Sequence, residues 1–144
     1  MSDQKQNSQQ IPLQIAVFIS GAGSNLQALI AAIESRQLLG VEIVLVVSNK
    51  ANAYGLQRAL DHKLPAIYLP WKHREEAEAH ALALMQLFHV DLIVLAGWLR
   101  IFSSNFIAQF PNRIINLHPA LLPDDAAGTY ITSDGTVIPA LCSM

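Results

Sequence analysis

The sequence predicts an α/β fold with a mostly parallel sheet and helices on both of its faces. Short, uninterrupted apolar runs alternate along the chain with segments of helical periodicity. Strands that are buried on both faces of a sheet carry such continuous apolar runs. Alternation of strand and helix joins parallel strands by right-handed crossovers. Hydrophobic residues make up 52% and charged residues 14% of the 144 residues, so the chain can bury a globular core.

Five apolar runs predict the strands. They cover residues 15–19, 41–47, 66–69, 92–96 and a run that begins at residue 114. Four segments between them predict helices, at residues 26–33, 54–62, 72–88 and 104–110. In the third helix we expect one buried face, formed by Ala77, Ala81, Leu84 and Phe88. Residues 1–10, rich in Gln, Ser and Asn, are expected to form a disordered leader.

Composition and charge exclude several classes of function. The net charge of −2, with no basic stripe, gives nucleic-acid binding no electrostatic support. Cys142 is the only cysteine, which excludes an internal disulfide and a thiolate-rich zinc site and is typical of a reducing compartment. His73 and His80 are seven residues apart, too far for a helical metal pair. No apolar run is long enough to cross a membrane. We therefore expect a cytoplasmic protein that uses no metal.

Polar clusters follow the predicted strands at their carboxyl ends. They are residues 20–25, 48–52, 97–100 and 116–119. In open parallel sheets, ligands bind outside the carboxyl ends of the strands. These clusters are therefore the candidate binding and catalytic segments.

Residues 20–25, Ser-Gly-Ala-Gly-Ser-Asn, form the segment that we call the glycine loop. Its glycines allow close approach of an anion, and the N–H groups at the start of the following helix would point at that anion. A dinucleotide site is disfavoured because Leu26 stands where a third glycine is required. The loop thus favours a phosphate group. The alternative is a tight turn that binds no ligand. Ser24 or Asn25 could also serve as the N-cap of the helix instead of contacting a ligand.

Residues 97–102, Gly-Trp-Leu-Arg-Ile-Phe, form the segment that we call the aromatic loop. A large apolar loop at a ligand-binding edge could bracket a planar heterocycle with ring faces and backbone amides. From the pattern alone, burial in the core is the favoured interpretation of this loop.

The run that begins at Ile114 leads into Asn116, His118 and Pro119. Residues i and i+2 of a strand share a face, so Asn116 and His118 should project together. Pro119 disfavours the helical region for His118 and restricts the direction of its imidazole. A hydrogen-bond donor beside an acid–base group suits chemistry at a carbonyl carbon. The alternative is a capping Asn and a surface His on an ordinary connection.

Four stretches, in this order along the chain, resemble glycinamide ribonucleotide formyltransferases. They are residues 19–28, 47–51, 95–101 and 115–123. The last stretch is shared with methionyl-tRNA formyltransferase and formyltetrahydrofolate deformylase, whereas the Gly-x-Gly-Ser-Asn of the glycine loop resembles a ribonucleotide-phosphate site. The resemblance implies a Rossmann-like formyltransferase fold over residues 11–123, with the later strands and helices of that family missing. It also implies transfer of a formyl group from 10-formyltetrahydrofolate to the amine of glycinamide ribonucleotide in purine synthesis.

The resemblance further implies roles for individual residues. The ribonucleotide phosphate would be held by Gly23, Ser24 and Asn25. The pterin pocket of the co-substrate, 10-formyltetrahydrofolate, would be lined by Trp98, Leu99, Arg100 and Ile101. The catalytic pair would be Asn116 and His118, and no metal or covalent intermediate is required.

The chain departs from the family after Pro123. The family places an Asp against the catalytic His, where the carboxylate favours the protonated imidazole. The local candidate is Asp134, within an atypical C-terminal tail, residues 124–144. A chain without the later strands would expose a sheet edge, which predicts self-association. The alternative function is a catalytically incomplete remnant that binds a phosphate ligand, or an interaction module.

Overall fold

Five parallel strands form the main sheet. The strands are β1 (Leu13–Ile19), β2 (Val41–Ser48), β3 (Ala66–Tyr68), β4 (Leu92–Ala96) and β5 (Ile114–Leu117). They lie in the order β3-β2-β1-β4-β5, and every neighbouring pair is parallel, as predicted. The strand order reverses beside β1, so β1 and β4 flank the position where open α/β sheets bind ligands.

The computed structural model describes residues 11–117, 129–131 and 137–139. The predicted leader, His118 and Asp134 lie outside these described residues. Two short strands that the apolar pattern did not predict, β6 (Thr129–Ile131) and β7 (Val137–Pro139), pair antiparallel within the predicted tail. Within the described part of the chain, no helix is both long and apolar enough to cross a bilayer.

Helices cover both faces of the main sheet, as the strand–helix alternation predicts. One core cluster contains residues of α1 (Ser24–Glu34) and α2 (Tyr54–Asp61), and the other contains residues of α3 (Arg74–Leu87) and α4 (Ser104–Ala108). Strand β1 supplies both clusters in alternation, since Val17 packs towards α1 and Phe18 towards α3, each fully buried. Continuous burial on two faces explains why this strand is apolar throughout.

A bulge interrupts the pairing of β1 with β2. Ile15 pairs with Ile43, but Ala16 pairs with Leu45, so β2 carries one extra residue, Val44. A bulge of this kind leaves one residue of the longer strand unpaired and increases the local twist. Nothing in the apolar run of β2 indicates it.

Helix α3 buries Ala77 and Ala81 as predicted, and it also buries the carboxylate of Glu78. Ser103 donates to that carboxylate through its backbone N–H and its hydroxyl, both at 2.6 Å. Ser103 also caps α4, because its Oγ accepts from the N–H of Phe106 at 3.2 Å. A buried charge is tolerated when hydrogen bonds satisfy it, so Glu78 connects α3 to the segment after the aromatic loop.

Candidate functional site

The glycine loop and the aromatic loop meet where the strand order reverses. Ser20, the first residue after β1, donates its N–H to the carbonyl oxygen of Gly97, the first residue after β4, at 3.1 Å. The two candidate segments are therefore at the carboxyl edge of the sheet, as the chain order indicated, and the strand order makes them adjacent.

Gly23 begins helix α1. It takes the N-cap position in the left-handed region, with φ 78° and ψ 30°, and its carbonyl oxygen accepts the first helical bond, from the N–H of Gln27 at 2.8 Å. The alternative of Ser24 or Asn25 as N-cap is therefore wrong, because a left-handed backbone favours glycine at this position. The N–H groups at residues 24–26 precede the first intrahelical bond, which is the arrangement that suits an anion.

Helix α2 donates hydrogen bonds to the backbone of the glycine loop. Gly55 donates its N–H to the carbonyl oxygen of Gly21 at 3.0 Å, and Arg58 donates its Nε–H to that of Ala22 at 2.7 Å. Gly23 and Gly55 approach so closely that a Cβ on Gly23 would lie 2.7 Å from the Cα of Gly55. The sequence singled out neither Gly55 nor Arg58, although together they set the path of the loop.

The aromatic loop divides into buried and exposed residues. Trp98 and Phe102 are buried, and the Trp98 ring packs edge-on against Phe18 at 5.2 Å and Trp71 at 4.9 Å between centroids. The core interpretation is confirmed for these two residues. Leu99, Arg100 and Ile101 are exposed beside the sheet edge, so these three can reach a ligand.

Ser20 connects three loops through one hydroxyl group. Its Oγ donates to Oδ1 of Asn49, the first residue after β2, at 2.6 Å and accepts from the N–H of Leu99 at 2.9 Å. Both Ser20 and Asn49 are buried. Sequence reasoning placed both residues in polar clusters but did not predict their contact.

Asn116 lies near the end of β5, where it pairs with Leu95 of β4. The other residues of β5 alternate between the two faces of the sheet as expected. Ile114 packs against the core cluster that contains α3 and α4, and Leu117 packs against the core cluster that contains α1 and α2. Asn116 is half-buried at the same edge of the sheet as the other segments. The shared orientation of Asn116 and His118, and the partnership with Asp134, stay predictions because His118 and Asp134 lie outside the described residues.

Metal ligation has no candidate cluster among the described residues. Over residues 11–117 and the two short strands, no group of three or more His, Cys, Asp or Glu side chains is placed to hold an ion.

A comparison with protein-family models matches residues 13–127 to the family described as formyl transferase. The chain belongs to the formyl transferase family. The chain is 42% identical over 120 residues to the phosphoribosylglycinamide formyltransferase of Haemophilus influenzae, covering 81% of the chain and 56% of that protein. It is 43% identical over 113 residues to the trifunctional purine biosynthetic protein adenosine-3 of Drosophila melanogaster, covering 76% of the chain and 8% of that protein.

Solved structures agree with this assignment. The phosphoribosylglycinamide formyltransferase of Coxiella burnetii superimposes with a TM-score of 0.71 at 41% identity, covering 79% of this chain and 55% of that one. The parallel sheet with helices on both faces is therefore the formyltransferase fold. The chain spans about half the length of the bacterial relatives that it matches.

Proposed function

We propose that this protein moves the formyl group of 10-formyltetrahydrofolate to the amine of glycinamide ribonucleotide in purine synthesis. The observation that carries the proposal is the contact between the glycine loop, which ends in a glycine-capped helix start, and the aromatic loop at the reversal of strand order. A phosphate site and a heterocycle site side by side suit a reaction between a ribonucleotide and a folate. The names of the bacterial relatives support the same reaction.

The ribonucleotide phosphate binds at Gly23, Ser24 and Asn25 in this proposal. Gly23 lets the phosphate approach the backbone, and the N–H groups at the start of α1 point towards it. Ser24 is exposed and Asn25 half-buried at this helix start, so both side chains are accessible as donors. The partial positive charge of the 11-residue helix α1 adds to the attraction.

The folate binds along the aromatic loop, where Leu99 and Ile101 offer exposed apolar surface and Arg100 offers an exposed guanidinium group. Trp98 supports this loop from the core side rather than presenting its ring face to solvent, because its indole packs among other aromatic rings. No metal is assigned to the site.

Asn116 and His118 act at the formyl carbon. The substrate amine attacks that carbon, and the Asn116 amide donates a hydrogen bond to the oxyanion that develops. A protonated His118 stabilises the same oxyanion, and Asp134 favours that protonation. A proton then passes from the attacking nitrogen to the departing folate nitrogen through an acid–base group or water, and the carbon–nitrogen bond to folate breaks.

The cytoplasmic location and the self-association through the sheet edge stay predictions.

The test compares initial rates of formyl transfer to glycinamide ribonucleotide and to its phosphate-free riboside. The parent chain should prefer the ribonucleotide strongly, and Ser24→Ala should raise the KM for the ribonucleotide by about tenfold, since it removes one hydrogen bond to a charged group. Ser35→Ala is the matched control, because Ser35 is exposed at the other end of the same helix. Equal rates with both acceptors would contradict a phosphate site. A folded parent without turnover would contradict the proposed reaction and favour the alternative function, a catalytically incomplete remnant or an interaction module.

A further inference from the structure

Ser20 uses its backbone N–H and its hydroxyl group to join the loops at the carboxyl edge of the sheet. The residue is 3% exposed. Its N–H donates to Gly97, and its hydroxyl donates to Asn49 and accepts from Leu99. Ser20 is itself the first residue of the glycine loop, so one buried residue connects the glycine loop to the aromatic loop and to the loop after β2.

The bond to Leu99 fixes the aromatic loop where it leaves the core. Gly97 turns the chain out of β4 in the left-handed region, with φ 75°, and Trp98 then anchors the loop in the core. Leu99 is the first residue beyond this anchor, and 71% of it is exposed. The Ser20 hydroxyl holds its backbone, so the exposed residues that follow start from a set position.

We infer that Ser20 is a positioning residue that sets the spacing between the glycine loop and the aromatic loop. The inference rests on the proposed function, in which these two loops carry the two substrates. Their spacing then determines the distance between the attacking amine and the formyl carbon. Small misplacements of reacting groups are costly, since about 1 Å can reduce a rate by about a hundredfold.

Ser48 provides a control for the loss of a buried hydroxyl. It is fully buried at the end of β2, and its Oγ donates to the carbonyl oxygen of Lys50 at 2.8 Å and accepts from the N–H of Lys50 at 3.0 Å. Both bonds stay within one loop. Ser48→Ala therefore removes a buried hydroxyl group with two hydrogen bonds at the carboxyl edge of the sheet, as Ser20→Ala does. Unlike Ser20→Ala, it breaks no connection between the glycine loop and the aromatic loop.

The test measures amide exchange at Leu99 by NMR and steady-state formyl transfer for the parent, Ser20→Ala and Ser48→Ala. We expect Leu99 exchange to rise by about fivefold or more in Ser20→Ala, because one hydrogen bond is lost, and to stay unchanged in Ser48→Ala. We expect kcat to fall by about tenfold or more in Ser20→Ala. The KM for glycinamide ribonucleotide should change less than kcat, since the glycine loop keeps its own contacts with α2.

Each outcome decides the inference. Unchanged Leu99 exchange in Ser20→Ala, an equal rise of that exchange in both variants, or an unchanged kcat in Ser20→Ala would overturn it. If the parent shows no turnover, the proposed function fails by itself, and the exchange measurement alone decides whether Ser20 connects the loops. Should Ser20→Ala not fold, Asn49→Ala replaces it, and we expect a smaller rise in Leu99 exchange, because the Ser20 hydroxyl keeps its bond to Leu99 but loses the acceptor that orients it. Unchanged Leu99 exchange in Asn49→Ala would then overturn the inference.

Discussion

Replacing Gly23 with alanine should destabilise the fold more than replacing Gly40, although both residues have a left-handed backbone. Their φ angles are 78° and 76°. At Gly40 a Cβ would meet no atom within 4 Å, so Gly40→Ala costs only the left-handed conformation, about 1 kcal/mol. At Gly23 a Cβ would lie 2.7 Å from the Cα of Gly55, which is backbone and cannot rotate away. Overpacking adds about 1–3 kcal/mol, so Gly23→Ala should cost about 2–4 kcal/mol in total.

Urea unfolding of the two variants and the parent measures this difference. The Gly23→Ala loss should exceed the Gly40→Ala loss by about 1 kcal/mol or more, with similar m-values for all three proteins. Losses within about 0.5 kcal/mol of each other would refute the close packing of the glycine loop against α2. The measurement is independent of ligand binding and of activity.

Three further substitutions test other contacts. Ser103→Ala should cost about 1–3 kcal/mol in urea unfolding, because it removes the cap of α4 and a donor to buried Glu78; a loss under about 0.5 kcal/mol would contradict that pairing. Phe18→Ala should cost about 3–5 kcal/mol by the same measurement, since Phe18 is fully buried against Trp98, and a near-neutral result would count against this core. Asn116→Ala should lower kcat by about a hundredfold or more in the formyl-transfer assay, and an unchanged kcat would remove the Asn116 amide from the oxyanion site.

The strand pattern could be predicted from the sequence because the central strands are buried on both faces. The run at residues 92–96 coincides with β4, and the run at 15–19 lies within β1. The bulge at Val44 could not be predicted, since one extra apolar residue in an apolar run leaves no signal. Glu78 was also missed, because its acceptor role depends on Ser103 of a later segment.

The position of the candidate site could be predicted better than its internal contacts. Chain order placed the glycine loop and the aromatic loop at the carboxyl edge of the sheet, which the structure confirms. The bonds of Ser20 to Asn49 and Leu99 could not be predicted, because they join residues that are 29 and 79 positions apart. The alternative of Ser24 or Asn25 as N-cap is wrong because, although Ser and Asn are preferred caps in general, the N-cap residue here has a left-handed backbone.

The proposed function is tested most directly by measuring the rate of product formation when 10-formyltetrahydrofolate and glycinamide ribonucleotide are supplied together. The assay uses the parent, His118→Ala and the matched control His80→Ala, since His80 is an exposed residue of α3. The parent and His80→Ala should turn over, and His118→Ala should fall to the rate without enzyme. A cooperatively unfolding parent that forms no product, or a His118→Ala variant as fast as the parent, would contradict the proposed mechanism.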